Sequence, residues 1–357
     1  MNTASQSIYL KDFRPKPALV VPSSQRDTSR FDTPRFPVVD AHIHLSSEFG
    51  GRWRDKPIEA LIEAMDRAHV TMMVDLDGGW GEDILDANLA YFKARYPDRF
   101  VHFAGVDWGQ WPVRGDEFTD YAVARLHAQV QRGAGGLKIW KPFGLHVKDH
   151  HDTLVKVDDE RLIPLWDAAA DLNLPVLMHV ADPVAFFDPV DATNERWEEL
   201  HQHPDWQFTS PPFPSFMSIM EGFANLVRRH KHTRFIGAHM GCYAENLGWV
   251  SALLDECPNL YVDISARLGE LGRQPYSARR FFLKHAERIL FGTDADASLA
   301  SYQLHYRFLE TDDEYFSYNT YDPPGQGRWY IYGLYLPDEV LAKVYYQNAE
   351  RLFGKDA

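Results

Sequence analysis

Pro37-Val38-Val39-Asp40-Ala41-His42-Ile43-His44-Leu45 is the stretch on which the reading of this chain turns. A proline followed by two β-branched residues opens a buried strand, and side chains two apart on a strand share a face. His42 and His44 then present two imidazoles from the end of one strand, half of a metal site before any loop contributes. A lone His-X-His also arises by chance, so the decision rests on how the other strands end.

Seven more short apolar runs follow: Thr71–Leu76, Val101–Val106, Gly136–Trp140, Val176–Val180, Arg234–His239, Leu260–Ser265 and Ile289–Asp294. Their β-branched and aromatic content favours strand over buried helix. Helical periodicity lies between them, over Ile58–His69, Asp83–Tyr96, Asp116–Arg132, Glu160–Leu172, Phe216–His230, Glu245–Glu256 and Ser277–Ala286. The alternation predicts an α/β protein of the (β/α)8 TIM-barrel type. A doubly wound open sheet competes, but it needs a glycine-rich phosphate loop that the sequence lacks.

Residues 1–36 carry Pro15, Pro17, Pro22 and Pro34 without periodicity and are expected to form an irregular arm, with a short extended piece at Ala18–Val21. Residues 37–357 are assigned to the metal-dependent barrel domain. Its C-terminal helical extension opens at Pro337-Asp338-Glu339 and runs to Phe353. Two long loops, Ala181–Ser215 and Asp312–Tyr335, follow the fifth and eighth strands. Loops at that end of a barrel build pockets. Their aromatic residues suit a pocket wall, a lid or a subunit contact.

Of 357 residues, 45% are hydrophobic and 25% charged, enough apolar material for a large core. A net charge of −14 argues against a nucleic-acid or anionic-membrane partner, since phosphate contacts need clustered Lys and Arg. Two cysteines, Cys242 and Cys257, make no disulfide framework, and no run reaches the length of a membrane span. A soluble, cytoplasmic protein is the expectation.

The strand ends supply the chemistry. His42 and His44 end the first, His179 the fifth, His239 the sixth and Asp294 the eighth. In a barrel these ends meet at one mouth. Singly, each has an ordinary structural role available, such as Asp294 capping a following helix; together they make an N/O donor set suited to zinc, manganese or iron(II).

The motifs Asp40-Ala41-His42-Ile43-His44, Gly237-Ala238-His239-Met240-Gly241 and Gly292-Thr293-Asp294 resemble the amidohydrolase superfamily, in particular the amidohydrolase-related branch that includes hydrolases, lactonases and non-oxidative decarboxylases such as the aminocarboxymuconate-semialdehyde type. The resemblance implies one divalent metal ion, zinc first, held by His42, His44, His179 and Asp294. It implies a catalytic pair of Asp294, which takes and passes a proton, and His239, which polarises the substrate or moves a proton. It also implies a frequent homodimer.

The leading expectation is a metal-dependent hydrolase acting on an amide, ester or lactone bond of a small-molecule substrate. The alternative is a metal-dependent decarboxylase of an aromatic or unsaturated acid, and a non-catalytic metal-binding barrel is the third. Some superfamily members carry a carbamylated lysine on the fourth strand between two metals, so Lys138 is either that residue, an ion-paired residue with Asp107 or Asp77, or a substrate-binding cation. Trp140, Arg267 and Asp182 complete the expected substrate-binding set. Trp80 and Trp108 are further wall candidates, Arg196 and Arg273 further cations. Asp263 is read as the support of a ligand histidine.

Overall fold

A computed structural model of the chain describes residues 33–47, 50–319 and 324–354. The expected arm and its extended piece fall, up to residue 32, outside the described residues. Eight parallel strands form where the apolar runs predict them: β1 Val38–Ile43, β2 Val70–Asp75, β3 Phe100–His102, β4 Leu137–Ile139, β5 Val176–Met178, β6 Phe235–Gly237, β7 Leu260–Asp263 and β8 Ile289–Leu290. They pair in sequence order as β1-β2-β3 and β4-β5-β6-β7-β8. A parallel bridge from Ala104 to Leu137 joins the two sets. Backbone bonds from Ala41 N–H to Phe291 O (2.9 Å) and from Asp294 N–H to His42 O (2.8 Å) tie the end of β8 to β1. The fold is the expected TIM barrel.

A helix follows each strand and buries its apolar face against the ring. Phe216–Arg229 shows the logic: Ser215 caps its start, accepting from Ser218 N–H, and Ile219, Met220, Phe223, Leu226 and Val227 are buried. One helix escapes the sequence reading. Leu299–Glu310 follows β8 and is capped by Ser298, so Asp294 is not a helix cap. The C-terminal run from Asp338 to Phe353 is helical as expected.

The barrel interior holds Val39, Ala41, Val74, Leu76, Val101, Phe103, Leu177, Ile236, Ala238 and Leu290, with Ala349 and Leu352 of the C-terminal helix packed among them. That helix therefore plugs the floor of the barrel. Val38, Ile43 and Leu45 belong instead to the layer between strands and helices. Val39 and Ala41 face in, while Ile43 and Leu45, of the same parity, face out. A bulge between Asp40 and Ile43, where three steps on β1 match two on β2, makes the switch. It turns His42 and His44 into the mouth, where plain alternation from Val39 would have sent them outward.

Candidate metal centre and active site

The donor atoms of His42, His239 and Asp294 lie within 4.8 Å of one another. Asp294 is the hub: Oδ1 is 3.8 Å from His42 Nε2 and 3.6 Å from His44 Nε2, and Oδ2 is 3.7 Å from His239 Nε2. Gly292 allows this approach, because a Cβ there would come within 2.9 Å of His42 Cβ. Asp294 itself has a left-handed backbone, φ 49°.

The hydrogen bonds assign the ring protons. His42 Nδ1–H donates to Asp263 Oδ2 (2.9 Å) and His44 Nδ1–H to Asp77 Oδ1 (2.8 Å). His239 Nδ1–H donates to the Ser265 carbonyl (2.9 Å). The Ser265 hydroxyl gives its own proton to Asp263 Oδ1 (2.5 Å). Each ring thus spends its proton on Nδ1 and turns an Nε2 lone pair toward Asp294. His42 Nε2 is buried with no hydrogen-bond partner. An orphaned buried nitrogen among convergent donors fits a divalent ion. Burial pushes the His42 pKa down and that of His239 well down, so both stay neutral and able to donate lone pairs at pH 7.

Asp263 receives four hydrogen bonds: from His42, from the Ser265 hydroxyl, and from the backbone N–H groups of His239 (2.9 Å) and Ser265 (3.1 Å). Burial pushes its carboxyl up, but His42 and these donors win and hold it below the usual carboxylate range. Asp263 therefore fixes two histidines at once. It also anchors the first residue of a left-handed turn, in which His239, Met240, Gly241 and Cys242 have φ of 57°, 61°, 66° and 61°.

His179 sits beside His239, ring centroids 4.4 Å apart and nearly perpendicular. Its Nε2 faces Asp182 Oδ1 at 3.3 Å, which leaves Nδ1 for other use. Asp182 Oδ2 accepts from Lys141 Nζ at 2.7 Å. Burial raises the Asp182 carboxyl, but the Lys141 charge and both hydrogen bonds outweigh it and keep the group ionised. Burial takes His179 down to about 4. With both oxygens occupied, Asp182 supports His179 rather than facing open space.

Trp80 stacks on His44 (4.7 Å, 16°) and meets Trp140 edge-on (5.7 Å). Trp108 belongs elsewhere, stacked on Phe143 in a separate hollow of about 510 Å³ lined also by His146 and His150. Arg267 is buried and donates to Ala266 O; its charge helps keep His239 neutral. Arg196 is paired with Glu270 and Glu199, and Arg273 with Glu195, so neither is an open cation. Lys138, in β4, forms no ion pair with Asp107 or Asp77; its buried Nζ has no hydrogen-bond partner. Ser265 and the role of Asp77 escaped the sequence reading. An acidic residue just past the end of β2 was the available signal for Asp77.

The family model for Amidohydrolase matches residues 39–355, and the chain belongs to that family of enzymes. Solved structures of similar fold include 2,6-dihydroxybenzoate decarboxylase from Rhizobium (17% identity, TM-score 0.56, covering 90% of this chain and 99% of that one). Another is dihydroxybenzoic acid decarboxylase from Polaromonas sp. JS666 with bound manganese and the inhibitor 2-nitroresorcinol (16%, TM-score 0.55, 90% and 98%). A third is 5-carboxyvanillate decarboxylase from Sphingomonas paucimobilis (13%, TM-score 0.51, 89% and 98%). No curated protein matches the chain. Family membership brings a divalent metal. Both cysteines are free and buried. Among the described residues no helix is long and apolar enough to cross a membrane.

Proposed function

We propose that this protein is a metal-dependent, non-oxidative decarboxylase of an aromatic or unsaturated carboxylic acid. The observation that carries the reading is the aromatic wall beside the donor cluster, where Trp80 stacks on His44 and meets Trp140 edge-on. A planar acid would pack its ring on such a wall and turn its carboxylate to the donor cluster. The decarboxylases of similar fold support it. The hydrolytic expectation uses the same ligands, so the pocket rather than the donor set separates the two.

His42, His44, His179 and Asp294 would hold the ion, manganese, zinc or iron(II) by their chemistry. When bound, the ion supplies positive charge that fixes and polarises the substrate's oxygen atoms. The chain does the rest. Trp80 and Trp140 set the plane of the ring. Asp294 delivers a proton to the carbon that bears the carboxylate; the carbon–carbon bond breaks, its electron pair returns to the ring, and carbon dioxide leaves. His239, neutral and held through Nδ1, turns its Nε2 lone pair to Asp294 Oδ2 and so orients the acid's proton, which water restores after each turnover.

The test is a panel on the metal-loaded enzyme. Carbon dioxide and the matching arene should form from hydroxybenzoates. Cleavage of lactones or amides without carbon dioxide release would replace this reading with the hydrolytic one, and no turnover at full metal loading would leave a binding barrel.

A further inference from the structure

Lys138 is a buried cation of the mouth. It sits in mid-β4, paired in register with inward-facing Leu177, while its neighbours Leu137 and Ile139 face the helices. The side chain therefore enters the barrel. It is 2% accessible and its Nζ has no hydrogen-bond partner among the described residues. The acids that share its electrostatic field are Asp294, Asp263 and Asp77. Asp77 is spent on His44 and the Ser46 N–H, and Asp263 on its four donors. Asp294 faces three imidazoles.

Space has been made for this stem. A Cβ on Gly79 would lie 2.6 Å from Lys138 Cγ, so the loop after β2 needs glycine where the lysine passes. Burial draws the ammonium down to about 8, which still leaves it mostly charged at pH 7. A buried cation without a partner is costly unless a ligand completes it. Beside the wall formed by Trp80 and Trp140, the anionic oxygen of a flat acid would complete it.

We propose that Lys138 is the subsite that recognises the substrate's carboxylate, making the pocket selective for aromatic acids over their uncharged isosteres. This rests on the decarboxylase reading for the substrate's ring, but not for its charge. The probes are benzoate, an unreactive acid, and benzamide, of the same shape without charge. Their dissociation constants would be measured by calorimetry on manganese-loaded wild type, Lys138→Met and Lys138→Arg, with metal content and melting temperature recorded for each.

Wild type should prefer benzoate by about 30-fold or more, Lys138→Met should lose most of that preference by weakening benzoate alone, and Lys138→Arg should keep a good part of it. A folded, metal-loaded Lys138→Met protein with the wild-type preference overturns the proposal. If Lys138→Met fails to fold, equal affinity of wild type for the two probes overturns it instead. The hydroxybenzoate panel fails or succeeds separately: Lys138-dependent benzoate binding without carbon dioxide release sinks the decarboxylase reading alone.

Discussion

The mouth and the wall of this barrel each hold a buried histidine–aspartate pair, and the pairs match closely. His42 meets Asp263 at 2.9 Å in the mouth; His102 meets Asp75 at 2.8 Å in the wall. All four residues are fully buried, and in both rings Nε2 is without a hydrogen-bond partner. The surroundings differ. His42 Nε2 looks toward Asp294 and lies near the rings of His44 and His239. His102 is flanked by Phe92 and Phe100. Asp75 spends its remaining capacity on Leu45 N–H and the Asn88 amide, joining β1, β2 and the following helix. A histidine oriented by a carboxylate is thus no metal site in itself; convergent donors on the far nitrogen make it one.

The sharpest way to break this contrast is at the hub. Asp294→Asn should fold normally and lower kcat by about 1,000-fold. Near-wild-type turnover would remove Asp294 from the chemistry. Next comes a matched pair of substitutions. Asp263→Asn should weaken ion binding by about 10- to 100-fold, read by chelator competition. Asp75→Asn should leave ion binding alone and cost about 1–3 kcal/mol in denaturant unfolding. Equal effects on ion affinity would erase the distinction between mouth and wall.

Acid should act on both regions alike. Burial pushes His179 in the mouth and His305 outside it to about 4. Unfolded histidine titrates near about 6.5, so the unfolded chain takes up protons first as pH falls. The stability these neutral rings contribute is whole above about pH 6.5 and is lost progressively as pH falls towards 4. The melting temperature of ion-free protein should drop across that window, and His305→Leu should flatten the drop. An unchanged slope in that variant would show that His305 is not neutral in the folded state. The smallest effect belongs to the aromatic wall: Trp80→Phe should raise KM by about threefold with kcat nearly unchanged.

All eight strands were legible because buried parallel strands read as continuous apolar runs. The mouth was legible for the same reason, since β5, β6 and β8 lead directly into His179, His239 and Asp294. What hid was tertiary. The β1 bulge leaves no mark in a two-residue alternation, so the pair His42 and His44 was found without the feature that aims it. The helix Leu299–Glu310 buries His305, Tyr302 and Tyr306, polar-tipped residues that blur an apolar stripe. Asp182 reads as a pocket acid until Lys141 and His179 claim its oxygens. Ser265 has no signature, because its worth lies in its bonds to Asp263 and to His239, 26 residues away.

One consequence follows from the left-handed turn at His239–Cys242. L-residues hold that conformation at a cost of about 1–2 kcal/mol each, offset by the bonds from His239 N–H to Asp263 and from Cys242 N–H to the Ala238 carbonyl. All four residues of the turn are buried, so it should open only with the barrel, and loss of activity on heating should track the global melt and never precede it.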